Sequence, residues 1–224
     1  MTGAVAAVLF DLDGTLAATM DPWDRCWSEY AARHGHTWTD ADRHRTHGHG
    51  DWADHLAAVC GVEADRVVAE CVDAMVARIH AGQIALLPGV EALLATAMNS
   101  TVTGVVSASP RRFVHAALDH FGLRPALGVV ITREDQPETK PHPAPWLHAA
   151  ARLGVDPSSC VAVEDSAAGI RSAHAAGMRV LAIPSWSPSM HPVEADLADH
   201  LAADAARAER WLRRLVTAAA PAVL

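Results

Sequence analysis

Apolar positions follow two rhythms along this 224-residue chain. Residues 5–10 (VAAVLF) form a short continuous apolar run, the pattern of a strand buried on both faces, and Gly14-Thr15 breaks it soon afterwards. The rhythm then changes. Residues 23–34, 52–60 and 65–80 carry apolar side chains three and four apart, which predicts amphipathic helices, and no stretch between Thr19 and Leu86 reads as a strand. Beyond the turn signal Leu87-Pro88-Gly89, predicted helices over 90–98, 112–121, 145–153 and 167–176 alternate with predicted strands over 102–106, 128–131, 160–163 and 179–183. Strands alternating with helices imply βαβ units, hence an α/β fold with a mainly parallel sheet. The helical block reads as an insertion, so residues 1–16 and 87–224 are expected to form the core and residues 17–86 a helical cap. An Ala- and Arg-rich helix over 202–219 is expected to pack on the sheet.

The first strand ends in Asp11-Leu12-Asp13, and the carboxyl edge of an open α/β sheet is where ligands bind. In an extended segment Asp11 and Asp13 point the same way while Leu12 turns into the core. Two like charges held so close repel, and a divalent cation with oxygen ligands offsets them most simply.

Three more predicted strand ends carry suggestive residues. Residues 102–106 run into Ser107-Ala108-Ser109-Pro110, which offers hydroxyl and backbone N–H donors suited to an anion. Residues 160–163 run into Glu164-Asp165-Ser166. After the strand near Ile131 comes Thr139-Lys140-Pro141-His142-Pro143, whose prolines stiffen the segment around the chain's single lysine. Arginine supplies every other strong positive charge, and a flexible ammonium serves a compact phosphate site as a point charge. Each cluster alone has an ordinary reading as turn chemistry, an N-cap or a helix start. In order, and each at a strand end, they point to one site.

Charge and composition narrow the partners. A net charge of -8 disfavours nucleic acid, and no run of about 18 apolar residues suggests a membrane span. The chain reaches Asp11 before a signal-peptide pattern could complete itself, so the cytoplasm is expected. Cys26, Cys60, Cys71 and Cys160 lack CxxC spacing and fit reduced thiols.

The four clusters resemble, in order, the motifs of haloacid dehalogenase (HAD) superfamily phosphatases with an inserted cap: DLDGT, the Ser107 cluster, Lys140 in KPHP, and Glu164-Asp165-Ser166 followed by Ala168-Gly169-Ile170. The resemblance covers nearly the whole chain and implies a Rossmann-like core. It implies that Asp11 is the nucleophile, forming an aspartyl-phosphate, and that Asp13 is general acid for the leaving alcohol and then general base for water. It further implies that Ser107, the Ala108 N–H and Lys140 hold the phosphoryl oxygens. Mg²⁺ would be held by the Asp11 carboxylate, the Asp13 backbone carbonyl and Asp165, with Glu164 ligating or supporting. A small-molecule phosphate ester is the implied substrate, and a monomer is expected rather than an obligate oligomer.

Within the superfamily, dehalogenases lack the second Asp that Asp13 supplies here, and the phosphonate-cleaving relatives need a cap lysine that the insertion lacks. A β-phosphoglucomutase-like mutase shares the core motifs but places an Arg just beyond a cap Gly, where this chain has Gly48-His49-Gly50-Asp51-Trp52. Hydrolysis of a sugar or polyol phosphate therefore ranks ahead of the mutase, and both ahead of a catalytically idle binding module. His47, His49 and Asp51, with Trp52, are expected to face the site and touch substrate hydroxyls. His44, His47, His49 and His55 lack the spacing of a metal site. Trp23 and Trp27, four apart, read as helix core rather than as a sugar platform. Ala17-Ala18-Thr19 stands where many relatives have an acid and a hydroxyl.

Overall fold

A computed structural model describes residues 4–47, 50–184 and 192–217. The chain begins with β1 (Ala7–Phe10), continues through α1 (Met20–Arg33), α2 (Asp40–Thr46), α3 (Trp52–Cys60) and α4 (Ala64–His80), and then alternates: α5 (Val90–Ser100), β2 (Val102–Val106), α6 (Arg111–His120), β3 (Val129–Ile131), α7 (Ala144–Leu153), β4 (Cys160–Glu164), α8 (Ala167–Ala175), β5 (Arg179–Ala182), α9 (Pro192–Leu197), β6 (His200–Leu201) and α10 (Ala205–Thr217). Every strand pairing is parallel, in the order β3-β2-β1-β4-β5-β6. From β1 the chain works outward to β3, then returns to β4 on the other side of β1. The strand order therefore reverses beside β1, which makes the carboxyl ends of β1 and β4 the switch point at which such sheets bind ligands.

The period of two along each strand divides the core. Val8, Phe10, Val105, Val161, Val163 and Leu181 face the layer of α5, α6 and α10, whereas Ala7, Leu9, Val106, Cys160, Ala162 and Val180 face Trp146 and Ala149 of α7 and Ile170 and Ala173 of α8. All four residues of β1 are fully buried, as the unbroken apolar run predicts. α10 runs beside α5 in its layer, with Ala208 and Leu212 inward.

Four helices, α1 to α4, stand in the chain between β1 and α5 as an insertion. Its two chain crossings lie side by side: Ala18 N–H donates to the Ala85 carbonyl at 2.9 Å and Leu87 N–H to the Leu16 carbonyl at 2.9 Å. Trp23, Trp27, Tyr30, Leu56, Val67, Met75 and Ile79 fill it. α4 packs against α6 of the core, and Asp73 pairs with Arg112 across that contact.

Three elements escape the periodicity. α2 (DADRHRT) has no apolar stripe and starts instead from a capping box: Thr39 Oγ accepts from the Asp42 N–H at 3.2 Å while the Asp42 carboxylate accepts from the Thr39 N–H at 2.8 Å. β6 has two residues, too few for any pattern, and α9 has six. Among the described residues no helix is long and apolar enough to cross a membrane.

Candidate active site

β1 delivers Asp11, and β4 delivers Glu164 and Asp165, at adjacent carboxyl ends of the sheet. Lys140 reaches the same point from the loop ahead of α7. Its ammonium donates to Asp11 Oδ1 at 2.6 Å, Glu164 Oε1 at 2.6 Å and the Val106 carbonyl at 2.8 Å, so all three hydrogens are committed. The ammonium also lies over the Trp146 ring, 4.7 Å from its centroid. Lys140, Asp11, Glu164 and Asp165 are all buried.

Glu164 has no free oxygen. Its Oε2 accepts from the backbone N–H groups of Asp165 and Ser166 at 3.0 and 3.1 Å and from Ser166 Oγ at 3.0 Å, which pins the carboxylate under the start of α8. A Cβ on Gly169 would fall 1.8 Å from Glu164 Oε1, so only glycine lets the helix pass this close. Asp165 Oδ1 accepts from Thr15 Oγ at 3.0 Å, and its Oδ2 lies beneath the Gly14 turn, where a Cβ would come within 2.3 Å. Asp11 Oδ2 and Asp165 Oδ2 accept no hydrogen bond from the described residues.

Three carboxylates around one ammonium leave excess negative charge in a buried site. Burial, with Glu164 and Asp13 adding to it and Lys140 opposing, pushes the Asp11 carboxyl up to about 8. Burial and the neighbouring Glu164 and Asp11 carboxylates raise Asp165 well above the carboxylate range. Burial alone would lower the Lys140 ammonium, but Asp11 and Glu164 outweigh it and raise it. One oxygen each from Asp11, Glu164 and Asp165 lies within 4.8 Å of the others, an all-oxygen set fit for a hard cation.

Asp13 has separate partners. Its Oδ1 accepts from Thr19 Oγ at 2.7 Å and Trp23 Nε1 at 3.1 Å; its Oδ2 accepts from Ser109 Oγ at 2.6 Å and Ser107 Oγ at 3.3 Å. Ser107 and Ala108 line a small cleft with Thr139, Lys140 and Gln136.

With this edge in view, comparison with known proteins is decisive: the family model described as haloacid dehalogenase-like hydrolase matches residues 5–177. The chain is a haloacid dehalogenase-like hydrolase. Hexitol phosphatase B of Escherichia coli (strain K12) is 32% identical over 199 residues, covering 81% of this chain and 84% of that protein. Validoxylamine A 7'-phosphate phosphatase of Streptomyces hygroscopicus subsp. limoneus is 32% identical over 193 residues, covering 84% and 90%. The crystal structure of CbbY from Rhodobacter sphaeroides in complex with phosphate superposes with a TM-score of 0.78 at 26% identity, covering 90% of this chain and 95% of that one. This hydrolase is thus an enzyme of the HAD phosphatase type.

The structure brings Asp11, Lys140, Glu164 and Asp165 into one cluster, with Asp13 and Ser107 joined by a hydrogen bond beside it. Within the insertion, His47 Nε2 lies 3.4 Å from Asp24 Oδ1, with its ring edge-on to Trp27 at 5.1 Å. Asp51 forms a two-pronged pair with Arg45 at 2.9 and 2.5 Å. His49 lies outside the described residues. Trp23 and Trp27 are core as expected, but the Trp23 N–H also reaches Asp13. Four polar contributors, Thr15, Thr19, Ser109 and Trp23, have no individual role in the sequence reading. Thr15 belongs to DLDGT and Ser109 to the Ser107 cluster, so their motifs marked them; nothing in the helical spacing of Trp23 announced its N–H.

Proposed function

We propose that this hydrolase is a Mg²⁺-dependent phosphomonoester hydrolase acting on a small sugar or polyol phosphate through an aspartyl-phosphate. One observation carries the reading: in a buried cluster otherwise full of hydrogen bonds, Asp11 Oδ2 and Asp165 Oδ2 receive none from the described residues at the switch point of the sheet. Asp11 Oδ2 is the attacking oxygen. It forms the bond to phosphorus as the bond to the leaving oxygen breaks, and that oxygen takes the Asp13 proton together with the bonding pair. Water then attacks phosphorus, gives a proton to Asp13 and releases the Asp11 carboxylate. Ser107, the Ala108 N–H and Lys140 hold the phosphoryl oxygens and stabilise charge spreading over them. Asp11, Asp165 and the Asp13 backbone carbonyl would hold Mg²⁺, with Glu164 supporting from its position against Lys140. When bound, the ion neutralises the charge that otherwise keeps an anionic nucleophile from an anionic phosphate.

The names of the curated relatives, hexitol phosphatase and validoxylamine phosphatase, support a polyol-like leaving group. The insertion, residues 17–86, acts as the cap that excludes water. Asp11→Asn is expected to abolish phosphate release from p-nitrophenyl phosphate in the presence of Mg²⁺, and substantial residual turnover would sink the nucleophile assignment. Conversion of a hexose 1-phosphate to its isomer without free phosphate would favour the mutase instead.

A further inference from the structure

We propose that Trp23 is a positioning residue that carries the docking of the cap into the orientation of Asp13; the inference rests on the phosphatase reading above. Four donors surround the Asp13 carboxylate, and they come from two sides. Ser107 and Ser109 approach Oδ2 from the loop after β2, whereas Thr19 and Trp23 approach Oδ1 from the start of α1 in the cap. The cap pair differs in kind. A hydroxyl turns freely and both donates and accepts, while an indole N–H only donates, along a direction fixed by its ring.

That ring is held on three sides. Trp27 stacks on it at 5.6 Å, Trp52 of α3 lies at 5.4 Å, and Phe113 of the core helix α6 meets it edge-on at 4.9 Å. Trp23 is 3% exposed and Phe113 fully buried. The indole is therefore wedged between cap and core, and its N–H points at Asp13 when Trp23 sits against Phe113 of α6 as it does here. Offset and edge-to-face ring contacts of this kind hold the indole plane from three sides and so fix the direction of its N–H. The indole cannot itself give or take a proton in the reaction, so it orients the acid without competing for its proton.

Such a role matters in proportion to the need for an acid. As the phosphorus–oxygen bond to the leaving group breaks, a phenolate departs with difficulty unless Asp13 supplies a proton, while p-nitrophenolate departs unaided. Trp23→Phe keeps the ring and its three neighbours but removes the N–H. In single-turnover experiments with Mg²⁺, this variant is expected to release p-nitrophenolate from p-nitrophenyl phosphate within about twofold of the wild-type rate, and phenol from phenyl phosphate about tenfold more slowly. Trp23→His, a smaller ring that retains an N–H, is expected to recover part of the phenyl phosphate rate. Equal losses on both esters in both variants would overturn the proposal, since a purely structural ring would slow every substrate alike. Asp13→Asn is measured in parallel. If it too ignores the leaving group, the acid assignment fails; if it is selective while Trp23→Phe is not, only the role of Trp23 fails.

Discussion

At the sheet edge, Asp11, Glu164 and Asp165 crowd together with one ammonium, which bonds only the first two, whereas in the cap Asp24 and Asp42 each collect three donor residues of their own. Asp24 accepts from Trp38 Nε1, Arg43 Nε and His47 Nε2; Asp42 accepts from Thr39, His36 Nε2 and His55 Nε2. The electrostatic outcomes are opposite. Against burial, the donor hydrogen bonds hold Asp24 and Asp42 below the carboxylate range, while Asp11 and Asp165 at the sheet edge are raised above it. A buried carboxylate with donors to match it is a fastener. One left short of positive charge is poised to take up a cation or to attack.

The comparison is broken most directly at Lys140. Lys140→Met removes the only ammonium from the cluster and, on the proposed mechanism, a phosphoryl ligand with it, and is expected to lower kcat on p-nitrophenyl phosphate by about 10²- to 10³-fold while the protein remains folded. In the cap the loss should fall on stability. Asp42→Asn strips charge-assisted bonds from Thr39, His36 and His55 and is expected to cost about 2–3 kcal/mol by urea denaturation, with kcat of the folded enzyme nearly unchanged.

The two regions should also tilt stability against pH in opposite senses. Asp11 is raised from 3.8 to about 8 in the folded state, so its contribution is complete below pH 4 and is lost as pH rises towards 8 in metal-free protein. Asp42 is depressed below 3.8, so its contribution is complete above that value and is lost as pH falls beneath it. Melting curves of EDTA-treated protein are expected to flatten on the neutral side in Asp11→Asn and on the acid side in Asp42→Asn; parallel curves for the two variants would erase the contrast. The smallest effect is expected at His47. His47→Gln should leave KM within about twofold if contacts such as those to Asp24 and Trp27 are the ring's main role, and a large rise in KM without loss of stability would place it at the substrate face.

Much of the catalytic edge is legible in the sequence because parallel strands buried on both faces read as unbroken apolar runs, and their polar successors stand out. Val102–Val106 appears in the structure with the bounds its pattern predicts, and Ser107 follows directly. The cap is less transparent. Its helices α1, α3 and α4 show in their spacing, but α2 is carried by a capping box rather than an apolar face. The partners of its histidines depend on how those helices meet: His55 and Asp42 lie thirteen positions apart, on helices whose packing no local pattern encodes. The same holds for Trp23, whose spacing announces a core side chain and whose N–H finds Asp13 only once its ring meets Phe113 of α6.

The sole lysine has one more consequence. With its ammonium enclosed by two carboxylates, a carbonyl and an indole face, Lys140 presents no free amine to solvent. Acylating reagents that decorate the lysines of most proteins meet no lysine side chain on this one's surface. Labelling at Lys140 would therefore keep time with the opening of the catalytic edge, a built-in clock on breathing of the fold.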